Sequence, residues 1–334
     1  MLTRRRFLQA SLAAPLLISR PPVGKIMTIQ GEIPASQLGT TLIHEHVLVD
    51  FIGADRISAS RWDRAEVVAK VLPYLREARE RGLKTLLECT PAFLGRDPLL
   101  LLELAEQSGL QLLTNTGYYG AVDNKYLPPW AFDETAEQLA QRWTAEFEQG
   151  IEGTSVRPGF IKIGVNAGTL SELHRKLVKA AALTHLRTGL TICSHTGPAA
   201  TALEEIEVLR THGVAPRAFV WVHAQGEPVK NWYVKAAQLG TWVSLDGLGW
   251  GNPEEYVPWI ELLKTNGYLS HVLLSHDAGW YRPGEPDGGT FVGYTPLFDR
   301  LLPALRKRGF TENDFEQLLV TNPADAFTLR VRKV

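Results

Sequence analysis

The chain has 334 residues, 45% of them hydrophobic, which is ample for one large core. Its formal net charge is -1 and its basic residues form no stripe, which argues against a nucleic acid or an anionic membrane surface as partner. Only Cys89 and Cys193 are present, both inside apolar runs, so a cysteine-rich zinc site is excluded and both read as buried core thiols.

The N-terminus opens with Arg4, Arg5 and Arg6, followed by an apolar segment from Phe7 to Ile18 that is too short to span a bilayer comfortably. This form fits a secretory leader. The order Thr3-Arg4-Arg5-Arg6-Phe7-Leu8 resembles the twin-arginine export signal of bacteria. The expectation is an export leader and short arm over residues 1–25 and a periplasmic or otherwise exported protein, with no membrane partner after export. Twin-arginine export usually carries folded proteins with cofactors loaded, which fits a metalloenzyme. No A-x-A precedes Arg20, so the cleavage point is unmarked.

In chain order, the first apolar run is TTLIHEHVLV (40–49), and the helical pattern AEVVAKVLPYLREARERG (65–82) follows with Gly82 as its stop. The runs KTLLECT (84–90), LQLLTNTG (110–117), GFIKIGV (159–165) and LTICSH (190–195) come next, separated by helical stretches at 100–109, 135–150 and 171–189. AFVWVHA (218–224), TWVSLDG (241–247) and HVLLSHD (271–277) complete the set, each preceded by a helix, at 201–213, 229–240 and 252–267. Near-continuous hydrophobic runs mark buried parallel strands. Eight of them alternating with helices predict an α/β fold, a single (β/α)8 TIM barrel over residues 26–334. A doubly wound sheet is the alternative, but the glycine-rich motifs of its nucleotide-binding versions are missing.

Chemistry in such a barrel sits at the C-terminal ends of the strands. There the first strand carries His44 and His46, the fourth Lys162, the fifth His195, the sixth His223 and the eighth Asp277. Residues two apart on a strand face the same way, so His44 and His46 point together. Any one of these reads equally as a hydrogen-bonded core residue. All six at the same end of their own strands point to a metal site. Lys162 is the odd member, because an ammonium has donors and no lone pair. Burial favours the neutral form of an amine, which can take up carbon dioxide to give a carbamate able to bridge two metal ions. Two ions about 3.5–4 Å apart can share one hydroxide.

HEH, the lysine of GFIKIG, the histidines of CSHTG and WVHAQGE, and the aspartate of LSHDAG resemble the phosphotriesterase family of the amidohydrolase superfamily. The resemblance runs in order through nearly all of the chain after the leader. It implies two divalent metal ions, usually zinc, with manganese, cobalt or iron as alternatives. His44, His46 and Asp277 would bind the buried ion, and His195 and His223 the exposed one. Carboxylated Lys162 and a hydroxide would bridge them, and Asp277 would act as the catalytic proton acceptor. The implied activity is hydrolysis of a small-molecule lactone, carboxylic ester or organophosphate ester. The alternatives are an amide or phosphodiester hydrolase with the same metal centre, or a non-catalytic ligand-binding barrel, against which six intact ligands weigh. The resemblance also implies a homodimer, for which the sequence carries no signal of its own.

The remaining candidates are less constrained. By the TG-x-Y pattern, Tyr119 matches a tyrosine that lies over the hydroxide in the lactonase branch, which makes it a catalytic and substrate-binding candidate. Lactonases usually place an arginine after the LD of the seventh strand and phosphotriesterases proper a histidine, whereas SLDGLGW has Gly247. Trp250, Trp280 and Tyr281 are expected to line an apolar substrate pocket instead. Residues 279–298 form a long eighth loop, a lid or a plain connection, with Arg282 facing an anionic group or solvent. Glu45 is expected to face away from the metals toward the helix layer. Glu88 either orients a ligand histidine, is solvated, or pairs with an arginine. His276 is read as pointing off the barrel face without a role, and His174, His185 and His212 as surface residues on helices.

Overall fold

A computed structural model describes residues 23–334. The expected leader therefore lies outside the described residues except for the last three positions of its arm.

The described chain opens with an antiparallel hairpin that the eight-strand reading does not include, β1 (Lys25–Thr28) and β2 (Gly31–Pro34), with Ile26 opposite Ile33. Eight strand positions follow: β3 (Thr41–Glu45), β4 (Thr85–Glu88), β5 (Gln111–Leu113) continued by β6 (Asn115–Thr116), β7 (Phe160–Gly164), β8 (Ile192–His195), β9 (Phe219–Val222), β10 (Trp242–Leu245) and β11 (Val272–Leu274). All neighbours in this set pair in parallel, with β3, β4 and β5 in one arc and β6 to β11 in the other. Because β5 and β6 are two pieces of one strand, the chain itself joins the arcs on one side. On the other side the ladder is irregular. There the Asp277 N–H donates to the His44 carbonyl at 3.0 Å, and the His46 N–H to the Ala278 carbonyl at 2.8 Å. This is the TIM-barrel fold, with a ladder that is not continuous around the ring.

The helices of the outer layer are α1 (Arg64–Glu80), α2 (Pro98–Ser108), the short α3 (Trp130–Asp133), α4 (Ala136–Gln149), α5 (Glu172–Thr188), α6 (Ala199–Thr211), α7 (Asn231–Gln238) and α8 (Val257–Thr265). Their starts are set by local chemistry. Asp63, Asp97 and Ser171 each accept a backbone N–H of the first turn, and Thr135 with Gln138 forms a capping box. Three C-terminal helices, α9 (Leu302–Lys307), α10 (Glu312–Glu316) and α11 (Asn322–Phe327), were not among the expected elements. Phe327 packs with Ile26, Leu38, Phe160 and Trp242, closing the N-terminal end of the barrel. The opposite, C-terminal end is left for the site.

His174 and His185 correct the sequence expectation, because both are buried on the inner face of α5. Hydrogen bonds make this tolerable. The Nε2 of His174 lies 3.0 Å from the Gly120 carbonyl. The Nδ1 of His185 donates to the Leu190 carbonyl at 2.7 Å, while its Nε2 accepts the Arg332 N–H at 2.9 Å. His212 is partly exposed.

Candidate metal centre and pocket

The last residues of the strands and the first of the following loops converge on one small cavity of about 60 Å³. His44, His46, Lys162, His195, His223 and Asp277 all line it, together with Tyr119 and Trp280. The Nε2 atoms of His44 and His46 lie 3.4 and 3.1 Å from one Asp277 oxygen. Those three side chains offer ligand atoms within 4.8 Å of one another, a spacing fit for a metal ion. The rings of His195 and His223 lie 4.5 Å apart, and that of His223 lies 5.0 Å from His44.

Burial sets the protonation states. It lowers the His44 imidazole to about 3, helped by the Lys162 charge, and holds His195 well below the usual range. Both rings therefore carry free lone pairs at neutral pH. Burial alone would raise the carboxyl of Asp277, but hydrogen bonds from His44 and His46 outweigh it and keep the group ionised. Burial also opposes charge on His223, yet Asp246 beside it raises the imidazole above its ordinary value. The Nζ of Lys162 is buried without a hydrogen-bond partner, as is the Nδ1 of His44. An unpaired buried amine is costly, and a carboxylated lysine facing cations would remove that cost. The donor set therefore fits a metal centre.

Two contacts orient the imidazoles. The Nδ1 of His46 lies 2.8 Å from Thr90 Oγ1. The Nδ1 of His223 donates to Asp246 Oδ1 at 2.8 Å, which leaves its Nε2 free to ligate. Asp246 itself is gripped by Ser244 Oγ at 2.5 Å and Gln225 Nε2 at 2.9 Å. Sequence reasoning missed Asp246 and Thr90. Asp246 left one signal, an acid at the end of an otherwise apolar strand run. Glu88 is buried, accepts the N–H groups of Val47 and Thr90, and pairs with no arginine among the described residues.

Glu45 faces away from the ligands, but toward the eighth strand's tail rather than the helix layer. It accepts from Ser275 Oγ, the His276 N–H, His276 Nδ1 and the Ala278 N–H at 2.7 to 3.0 Å. His276 points off the barrel face, where its Nε2 accepts the Leu297 N–H at 3.0 Å.

The substrate candidates divide. Tyr119 lies with its ring 5.0 Å from His195, its phenol pushed up by burial and by Asp277 and so protonated. Trp280 is a wall of the cavity, edge-on to His46. Trp250 is not among the lining side chains; it stands on the rim, 45% exposed, with its indole N–H donating to the Asp277 carbonyl. Tyr281 faces a separate groove beside Arg61 and Asp63. A Cβ at Gly247 would fall 2.6 Å from the Tyr256 hydroxyl and 2.7 Å from Gln225 Nε2, so those side chains occupy the space a larger residue would need. The eighth loop is folded back on itself, Gly279 and Val292 exchanging both backbone hydrogen bonds.

The comparisons with known proteins agree with this geometry. The sequence model of the phosphotriesterase family matches residues 24–327. The phosphotriesterase homology protein of Escherichia coli is 30% identical over 293 residues, covering 86% of this chain and 98% of that protein. The phospho-furanose lactonase of Mycoplasmopsis synoviae is 28% identical over 320 residues, covering 89% of each. The structure of an organophosphorus hydrolase mutant from Deinococcus radiodurans superposes with a TM-score of 0.82 at 28% identity, covering 92% of this chain and 98% of that one. With the family match spanning almost the whole barrel and the expected ligands gathered in one cavity, this chain belongs to the phosphotriesterase family and is a hydrolase.

Proposed function

We propose that the chain is a binuclear metal-dependent hydrolase of lactones or carboxylic esters, with organophosphate triesters as slower substrates. The observation that carries this reading is the convergence of six donor residues on one cavity, with the Lys162 amine buried and unpartnered among them. His44, His46 and Asp277 would hold one ion, His195 and His223 the other, and carboxylated Lys162 would join the two. When bound, the ions supply a hydroxide near neutral pH and polarise the oxygen under attack.

The chain's own residues do the rest. Asp277 keeps an ionised carboxylate in the cavity and accepts the proton. Tyr119, held as the neutral phenol, donates its O–H to the substrate oxygen. Val49, Phe51, Leu94 and Trp280 give the entrance an apolar wall that excludes water and receives the substrate's apolar part. Such an apolar wall, which carries no arginine, favours a neutral ester over a charged one.

The test is hydrolysis by the metal-loaded protein on a panel of γ- and δ-lactones, aryl esters and an aryl phosphotriester, with His44→Ala as control. Lactone or ester turnover that the variant loses is the expected result. A protein that binds two metals yet leaves the panel intact would point to an amide or phosphodiester. The arginine-led N-terminus supports export as a second part of the proposal. A reporter fused to residues 1–25 should reach the periplasm, and should stay inside when Arg4 and Arg5 become lysine.

A further inference from the structure

Asp277 stands just beyond β11 in a left-handed backbone conformation, with φ 54°. A residue with a Cβ is disfavoured there, so its surroundings must hold it. They do so through every polar atom of its backbone. The N–H donates to the His44 carbonyl at 3.0 Å. The carbonyl oxygen accepts two indole N–H groups, from Trp250 at 2.7 Å and from Trp280 at 2.9 Å.

The two indoles differ in what else explains them. The Trp280 ring is a pocket wall and lies close to Asp277 in sequence. Trp250 arrives from the seventh loop, and 45% of it is exposed, so packing alone does not account for its place. Its segment is tied to the end of the eighth strand. The Leu248 N–H donates to the Ser275 carbonyl at 3.2 Å, and the Gly249 N–H to the His276 carbonyl at 3.0 Å. A Cβ at Gly249 would lie 2.8 Å from that same His276 oxygen, so glycine permits the approach. The aromatic contacts continue inward: Trp250 meets Trp280 at 5.4 Å, and Trp280 meets His46 at 5.5 Å.

We infer that Trp250 is a positioning residue, whose indole N–H latches the Asp277 carbonyl and fixes the strained backbone that aims the carboxylate at His44 and His46. The seventh loop is thereby coupled to the ligand set. Trp250 touches no reacting atom. Its effect on turnover rests on the hydrolase reading, but the latch itself does not.

Trp250→Phe keeps the ring and removes the donor. In the ¹⁵N spectrum of the metal-free full chain, one indole signal should vanish in this variant. In the wild type that N–H should exchange with solvent at least about tenfold more slowly than an unprotected indole, despite the ring's exposure. In the cobalt-loaded protein the variant should show a shifted visible absorption band. It should also lose about tenfold in kcat with KM for a small lactone unchanged within about twofold. Trp250→His, which returns a ring N–H, should recover part of both. Fast indole exchange would overturn the inference. So would an unchanged cobalt spectrum, or a raised KM at constant kcat, which would make Trp250 a substrate contact. Slow exchange and a shifted spectrum in a protein that hydrolyses nothing on the panel would leave the latch standing and sink the hydrolase reading alone.

Discussion

At the scale of single residues, Lys162 is the sharpest test of the centre. It is 2% exposed, sits between β6 and β8 in the sheet, and finds no acceptor for its amine among the described residues. Lys162→Ala is expected to lose metal and activity together, and added bicarbonate or a short carboxylic acid to restore part of both. Metal analysis of the purified variant checks this, and full metal occupancy would mean that Lys162 is not the bridge. Tyr119 belongs to the other class of residue. Its phenol lies beside His195 and stays protonated, so Tyr119→Phe should lower turnover about tenfold while metal content holds. Loss of metal in that variant would make the tyrosine a structural support. These residues were legible in the sequence because each is a polar group set in an apolar run. Asp246 and Thr90 were not, because each acts across to another strand, and nothing near them in sequence names the histidine they hold. Trp250 was legible as a residue near the site, but the fold places it on the rim rather than among the lining side chains. An aromatic after a strand suggests a pocket wall, and only the fold shows where its N–H points.

At the scale of elements, β8 and α6 share a buried carboxyl that the proposed chemistry does not use. Glu205 on α6 is fully buried, hydrogen-bonded to Ser194 and Thr196 on either side of His195 at 2.5 and 2.6 Å. Burial raises its pKa from 4.5 to about 8. The sign follows from linkage. Between those values the folded state keeps a proton that the unfolded state has released, so stability falls as pH rises. The slope is at most about 1.4 kcal/mol per pH unit, and the loss is complete above the folded value. Glu205→Gln carries no charge in either state. The variant should therefore gain in Tm relative to the wild type as pH is raised from 4.5 to 8, and the gap should close on acidification. Parallel Tm curves for the two proteins would show that Glu205 ionises normally. Elements of this kind were well read where hydrophobic period and caps agree, as in α4 and α5. The hairpin β1–β2 escaped because four-residue strands leave too short a pattern. His174 and His185 escaped because a helical histidine looks like a surface residue until its hydrogen-bond partners are known.

At the scale of the whole molecule, eight alternating runs state how many strands there are and which end carries chemistry, but not how the ring closes. Closure falls between β3 and β11, the first and last barrel strands, which are separated by more than 200 residues and meet without a regular ladder. Glu45 bridges that seam. It is 0% exposed, and its two oxygens take hydrogen bonds from Ser275, His276 and Ala278. Those residues flank Asp277, so one carboxylate on the first barrel strand places a candidate metal ligand of the eighth. Glu45→Ala would leave buried donors unpaired and open a gap at the seam. The expected cost is about 1–3 kcal/mol for each buried donor left unpaired. Two consequences separate a seam from ordinary packing. Tm should fall in the metal-free protein, since the bonds need no metal. Metal affinity should fall as well, because Asp277 loses its register against His44 and His46. Glu45→Gln, which keeps one acceptor oxygen, should recover part of each. An Ala variant with lower Tm but wild-type metal affinity would mean that the backbone bonds at His44 and His46 hold Asp277 in place without Glu45.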